Sequence, residues 1–236
     1  MIEIKGLHKS FGKLEVLKGI DLTIDRKGVF SILGPNGSGK TTLIKCILGM
    51  VLPNAGEIRI HGEPVRKHWK YREKIDYLPQ IANFPGNLTV KELIRMIKDL
   101  RGQPGLDDSR LIDRLGLQPF LGKKLAHLSG GTRQKVNLCL TFMFESPYII
   151  LDEPTTGLDP TALIILNEMI EEERRKGKVI IMTSHIMSFV EEMSDEIIFL
   201  LEGNVYFRGT SESLKEQTKE PDFIHAIANL LTKQNV

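Results

Sequence analysis

The run Gly34-Pro35-Asn36-Gly37-Ser38-Gly39-Lys40-Thr41-Thr42 has the residue types and spacing to hold a chain of phosphates. It fits the pattern G-x-x-x-x-G-K-[ST], and each fixed position has a physical job. Glycines let backbone N–H groups wrap phosphate oxygens, Lys40 can reach the outer phosphates, and the Thr41 hydroxyl can ligate magnesium. The flanks agree. Val29-Phe30-Ser31-Ile32-Leu33 is an apolar run of buried-strand type, and from Thr41 to Leu48 apolar residues recur at helical spacing. A helix starting there adds its positive end to the site. The bland alternative is a glycine-rich strand-to-helix turn that matches by chance, and the strand and helix on either side argue against it. The segment implies a site for a nucleoside triphosphate with Mg2+.

A second chemical cluster ends the run Tyr148-Ile149-Ile150-Leu151-Asp152-Glu153. Ligands of open α/β sheets bind at the carboxyl ends of strands, so both acids are expected to face the phosphate loop. Asp152 suits a hard cation beside triphosphate oxygens. Glu153, with no ligand duty, suits a general base that polarises water. The alternative is a strand end solvated by two acids. A third cluster, Leu128-Ser129-Gly130-Gly131-Thr132-Arg133-Gln134, places an N-cap serine and two glycines before a helix of about 14 residues, another potential anion site. No apolar strand leads into it, so it is not expected on the sheet edge of the phosphate loop. Two phosphate-binding helix ends of this kind in one chain suggest two chains sharing two nucleotides.

The elements that must position these residues change character along the chain. Ile2, Ile4 and Leu7, then Ile20, Leu22 and Ile24, then Ile58 and Ile60 alternate with polar residues, the spacing of half-buried antiparallel strands. A short strand is expected at 75–78. Thr89-Val90-Lys91-Glu92 reads as a capping box opening a helix to about Leu100, and a second helix is expected over 107–115. From Ser129 onward helices alternate with apolar strands at 148–151, 179–182 and 196–201, as in a parallel sheet covered on both faces. Asp159-Pro160 marks the start of a helix to about Arg175. The expected fold is α/β: a phosphate-loop (P-loop) core with an N-terminal antiparallel β layer (1–81 and 129–236), a helical subdomain at 82–128, and a short helical tail at 210–236.

Composition bounds the rest. With 236 residues, 41% hydrophobic and 26% charged, the chain reads as one large soluble domain. A formal charge of +2, with the charges interspersed, gives no case for nucleic acid. Cys46 and Cys139 have no metal-binding spacing and read as buried thiols. The N-terminus lacks the apolar core of a signal peptide, and no apolar run approaches the ~18–20 residues of a membrane span. A cytoplasmic protein is expected, and any membrane role must come through a partner.

Residues 34–42, Leu128 to Gly131, Asp152-Glu153, Gly157-Leu158-Asp159-Pro160 and Thr183-Ser184-His185 together resemble the ordered motif set of the ATP-binding-cassette (ABC) ATPases. The resemblance covers nearly the whole chain. It implies an ATP-hydrolysing subunit that uses ATP and Mg2+, forms a homodimer in the ATP state and drives an integral membrane permease. It further implies that Phe11 stacks on adenine, that Gln80 serves the metal and the reaction, and that His185 contacts the γ-phosphate. Ser129, Gly130, Gly131 and Asp159 are implied to serve the nucleotide across the dimer. Local alternatives stand beside these roles: Phe11 as a core aromatic, Gln80 as a loop amide, His185 as a structural residue, and Asp159 as an N-cap as well as an interface residue. Thr132 departs from the Gln or Glu common at its position.

A narrower resemblance, in Leu78-Pro79-Gln80, Phe84-Pro85-Gly86-Asn87-Leu88-Thr89, Asp99-Leu100-Arg101-Gly102 and Leu128 to Asn137, is to the ATPase that matures the copper site of nitrous oxide reductase. It implies a periplasmic copper-related partner, with no copper-binding spacing in this chain. The competing function is an assembly or force-transmitting ATPase of the same fold that moves no small molecule. DNA-repair relatives are disfavoured because they separate two half-sites with long coiled coils, and translation-factor types need two cassettes. Ile81 and Phe84, read as exposed apolar residues, are the candidate docking residues of the helical insert, with packing inside the insert as the alternative.

Overall fold

Isoleucines that alternate with polar residues require a partner strand on each side and a core on one face, and the first third of the chain supplies both. In the computed structural model, which describes residues 1–66 and 69–232, strands β1 (Ile2–Phe11), β2 (Leu14–Ile24) and β3 (Gly28–Leu33) precede helix α1 (Lys40–Ile47). Strands β4 (Ala55–Ile60) and β5 (Glu63–Pro64) follow, and then β6 (Ile75–Leu78). Helices α2 (Val90–Leu100), α3 (Ser109–Arg114) and α4 (Gly130–Phe142) lead to β7 (Tyr148–Asp152) and α5 (Pro160–Arg175). Last come β8 (Val179–Thr183), α6 (Met187–Met193), β9 (Glu196–Leu201), β10 (Asn204–Gly209), α7 (Ser211–Thr218) and α8 (Phe223–Thr232). The chain divides into two compact units, Met1–Arg72 with the residues from Val179 onward, and Glu73–Lys178.

In the first unit β1 lies between β2 and β4, both antiparallel, and β5 pairs with β4. Ile2 faces Ile24 and Ile60, and Ile4 faces Leu22 and Ile58, so one apolar face is buried. Strict alternation would then turn Leu7 outward. A bulge after Ile4 prevents this: Gly6 has φ 52°, its N–H donates to Asp21 Oδ1 at 2.7 Å, and Leu7 returns to the core opposite Ile20. Alongside, β3 pairs in parallel with β8 and β9, all three buried along their length, and β10 adds an antiparallel edge to β9. Lys18 N–H donates to Gly203 O at 2.9 Å and Arg208 to Thr23 O at 2.7 Å, joining the two layers. Strand β10 and helix α6 are additions to the sequence reading. Only Phe207 of β10 is buried, and α6 has seven residues, too few for a clear period. The tail forms α7 and α8, whose Leu214, Phe223, Ala226, Ile227 and Leu230 pack with Leu33, Val190 and Phe199. Residues 233–236 of the expected tail lie outside the described residues.

In the second unit β6 and β7 pair in parallel, Ile75 with Tyr148 through Leu78 with Leu151. The expected capping box closes in both directions, with Glu92 N–H to Thr89 Oγ1 at 3.2 Å and Thr89 N–H to Glu92 Oε2 at 2.8 Å. Helix α3 is shorter than the expected 107–115, because Asp107 Oδ1 takes the Ser109 N–H and turns the chain before the helix starts. Segment 86–91 runs beside 121–126. Ala126 N–H donates to Gly86 O, Leu125 N–H to Leu88 O, Val90 N–H to Lys123 O and Lys91 N–H to Leu121 O. The chain following Gln80 is thereby tied to the chain preceding Ser129. Ile81 is 77% exposed, whereas Phe84 is half-buried, which fits the alternative of packing within the insert.

The C-terminal end of α2 is anchored by charge. Arg101 Nη2 donates to the buried Asp76 Oδ1 at 2.5 Å, Ser146 Oγ donates to the same oxygen at 2.8 Å, and the guanidinium lies 4.6 Å from the Phe144 ring centre. Burial pushes the Asp76 carboxyl above the usual carboxylate range, with Ser146, Arg101 and Lys178 opposing it. Arg101→Met leaves this carboxylate uncompensated and is expected to reduce the free energy of urea unfolding by about 3–5 kcal/mol near neutral pH. A raised folded-state pKa means that the native protein binds a proton before the unfolded chain does, so stability recovers as pH falls. The deficit should therefore shrink at about pH 5. A pH-independent deficit would assign the loss to packing on Phe144 instead.

Candidate active site

The phosphate loop leaves β3 through a backbone that tolerates no side chain. Gly34 has φ 146°, and a Cβ there would lie 2.1 Å from Leu200 O and 2.6 Å from Ser38 Oγ. Gly39 caps α1 at φ 105°, and its Cβ would meet Leu17 and the Val16 carbonyl of β2 at 2.8 and 3.0 Å. The antiparallel layer thus presses on the start of α1. Gly39 offers no side-chain cap to the first turn of α1. Lys40 is buried and its Nζ donates to Gly34 O at 2.8 Å and Pro35 O at 3.1 Å, holding the ammonium inside the loop's own curve. Ser38 Oγ is buried without a hydrogen-bond partner. A cradle that a Cβ would fill, an unpartnered buried hydroxyl and an enclosed ammonium fit a phosphate chain, and the half-buried Thr41 one residue on has the hydroxyl chemistry that a hard cation accepts.

His185 belongs to the same unit. Ile32 pairs with Thr183 in the parallel β3–β8 ladder, so the phosphate loop and His185 both begin two residues beyond one register position. His185 is exposed there, and the next residue is held by Ile186 N–H to Ser184 Oγ at 3.1 Å. Phe11 ends β1 with 51% of its surface exposed, which removes the core-aromatic alternative.

The second unit repeats this geometry. Leu78 pairs with Leu151, and exposed Gln80 and buried Glu153 each stand two residues beyond that pair. Asp152 ends β7 in a buried position, and its charge adds to the effect of burial in pushing the Tyr77 hydroxyl up to about 12. Glu153 has φ 54°, a left-handed conformation that costs a residue with a Cβ roughly 1–3 kcal/mol and is retained where the surroundings impose it. The turn sends the chain into loop 153–159, where Thr156 N–H returns to Glu153 O at 3.2 Å.

That loop is braced by the third cluster. A Cβ on Gly131 would lie 2.8 Å from Gly157 O, so only glycine permits the approach. Gln134 Nε2 donates to Pro154 O at 3.2 Å, and Lys135 Nζ donates to Asp159 Oδ2 at 2.8 Å. Asp159 also caps α5 by accepting the Ala162 N–H at 2.8 Å; Lys135 first and this cap second hold its carboxyl below the usual range. Ser129 accepts the Thr132 N–H at 3.3 Å and shares a 2.9 Å hydrogen bond with the Thr132 hydroxyl. The divergent Thr132 is thus the side chain that holds Ser129. Sequence reading passed over Gln134 and Lys135, whose partners are 20 and 24 residues away; helical spacing from Gly131 was the available signal. Cys46 and Cys139 are buried and free, their thiols pushed up to about 11 and about 12 by burial.

A phosphate loop leaving a buried parallel strand in one unit, and an acid pair ending a buried parallel strand in the other, are the parts of a P-loop ATPase. The sequence model of the ABC transporter family matches residues 17–156. The chain is 32% identical to the L-cystine import ATP-binding protein TcyN of Bacillus subtilis (strain 168), over 93% of this chain and 90% of that one. It is also 32% identical to the Nod factor export ATP-binding protein I of Rhizobium sp. (strain N33), over 92% and 73%. A solved ATP-binding subunit of an ABC transporter superposes with TM-score 0.90 at 29% identity, over 98% and 99% of the two chains. The fold is shared too by a dimeric ATP-binding cassette bound to ADP and Pi, TM-score 0.80 at 24% identity. The chain belongs to the ABC transporter family. It is an ABC-type ATPase that binds ATP with Mg2+.

Gly34→Ala tests the loop. The left-handed backbone alone costs roughly 1–3 kcal/mol, and the clash with Leu200 O must be relieved by moving the loop. The expected result is a lowered melting temperature together with loss of ATP binding by calorimetry. Unchanged affinity would show that the loop binds phosphate in another shape.

Proposed function

We propose that this chain is the ATP-hydrolysing subunit of a membrane transporter, pairing with a second copy of itself on MgATP to drive an integral permease from the cytoplasmic face. The observation that supports it most is the register match at the strand ends, phosphate loop with His185 and Gln80 with Glu153, in a chain whose motifs follow the family's order. Residues 34–42 hold the phosphates, Phe11 takes the adenine, Thr41, Asp152 and Gln80 serve the metal, and His185 meets the γ-phosphate. Ser129, Gly130, Gly131 and Asp159 serve the nucleotide of the second copy. Their bracing within one unit, Gly131 on Gly157 and Lys135 on Asp159, supports their action as one block.

Mg2+, when bound, offsets the charge of the phosphate oxygens. Glu153 accepts a proton from the water whose oxygen attacks the γ-phosphorus; that O–P bond forms as the bond to the bridging oxygen breaks and ADP leaves. Lys40 and His185 stabilise charge on the transferred phosphoryl group. Glu153→Gln is therefore expected to preserve ATP affinity, slow hydrolysis by roughly 10²- to 10⁴-fold and trap a dimer with MgATP on size-exclusion chromatography. Near-normal turnover would remove the general-base role.

The permease partner is supported by the relatives, named for cystine import, Nod factor export and lantibiotic transport. Among the described residues no helix is long and apolar enough to cross a membrane. Ile81, exposed directly after Gln80, is the better docking candidate of the two considered. Ile81→Asp should leave basal ATPase activity within about threefold while abolishing co-purification with the membrane subunit, since burying an unpaired charge in an apolar contact costs several kcal/mol. Retained assembly would place the contact elsewhere. The narrower motif resemblance supports a permease that serves copper-site assembly of nitrous oxide reductase through a periplasmic partner. Loss of that reductase's activity on deleting the gene is the expected result; retained activity would favour a transported cargo of another kind.

A further inference from the structure

We propose that Lys9 positions the nucleobase: its ammonium covers one face of Phe11 and fixes the ring whose other face receives the base. This rests on the reading of Phe11 as the base platform. Phe11 stands at the end of β1 with 51% of its surface exposed, so the core covers only part of its ring. Lys9 supplies a further constraint. Its Nζ lies 4.9 Å from the ring centre and donates to Leu52 O at 2.8 Å, so the cation is itself held in place.

Two more hydrogen bonds secure the same strand end. Ser10 N–H donates to Asn54 Oδ1 at 2.7 Å, and Asn54 N–H donates to His8 O at 2.8 Å. Leu52 and Asn54 lie in the segment that leaves α1, the helix whose first residues carry the phosphate loop. The base platform is thus stapled to the far end of the element that holds the phosphates, and Lys9 is the side chain common to the staple and the ring. A cation on one face draws π density toward itself and leaves the opposite face better suited to an electron-rich purine. A phenyl ring carries no hydrogen-bonding group, so its contact with the base is stacking, and Lys9 acts through the ring rather than on the base edge or the phosphates.

Calorimetry with Mg2+ on the full chain, using ATP and inorganic tripolyphosphate as probes, separates these routes. Lys9→Met is expected to weaken ATP binding about two- to fivefold, the size of an exposed cation–π contact, and to leave tripolyphosphate unchanged. Lys9→Arg should restore ATP affinity, and Lys9→Met should add nothing in a Phe11→Ala background. Equal loss for both probes, additivity with Phe11→Ala, or tighter ATP binding by Lys9→Met would each overturn the proposal. If Phe11→Ala leaves ATP affinity unchanged, the platform reading fails and takes the proposal with it. If Phe11→Ala weakens ATP while Lys9→Met does not, the role of Lys9 alone is refuted.

Discussion

Parallel strand pairing is the constraint on which the rest of this molecule depends. Strands that run the same way release their loops at the same edge, so the register of one pair fixes which loop residues become neighbours. The Ile32–Thr183 pair does this for the phosphate loop and His185, and the Leu78–Leu151 pair for Gln80 and Glu153. A slip of one residue would turn every side chain of a strand to the opposite face. It would also displace a loop residue that must act at hydrogen-bond distance. The continuous burial of β3, β7 and β8 makes such a slip costly, and the apolar strands thereby guarantee the polar edge.

Close backbone approach is the second device, and it recurs where the chemistry is. Gly34 against Leu200, Gly39 against β2 and Gly131 against Gly157 all bring main chain within distances that exclude a Cβ. Each removes freedom from a loop that would otherwise have many shapes. Side-chain bonds then complete the hold, Lys40 on the loop carbonyls and Lys135 on Asp159. Glu153 is the opposite case, a residue with a Cβ kept in the left-handed region because loop 153–159 is fixed on both sides. Strain there is consistent with a carboxylate held in one orientation, away from the relaxed end of its strand.

Charge fixes what packing leaves loose. Helix α2 carries few buried residues, Val90, Leu93 and Ile94, so its ends are set by polar groups: the Thr89–Glu92 box at the start and Arg101 on Asp76 at the finish. The paired backbone of 86–91 and 121–126 carries that order from the chain after Gln80 to the chain before Ser129.

The sequence alone determined the features that obey local rules. The phosphate loop, the capping box at Thr89, the N-caps at Ser129 and Asp159 and the apolar strands are written in spacing over fewer than ten residues, because their hydrogen bonds and steric needs are met by near neighbours. Elements lacking such a period were not legible: β10 presents alternating polar residues at an edge, α6 is two turns long, and the bulge at Gly6 alters the alternation it interrupts. Tertiary structure decided that Thr132 holds Ser129, that Lys135 reaches Asp159, that Phe84 is half-buried while Ile81 is exposed, and that Lys9 lies over Phe11 beside Leu52. Burial and partners are properties of what the chain is folded against. The same lysine or phenylalanine is compatible with many environments until distant segments supply one.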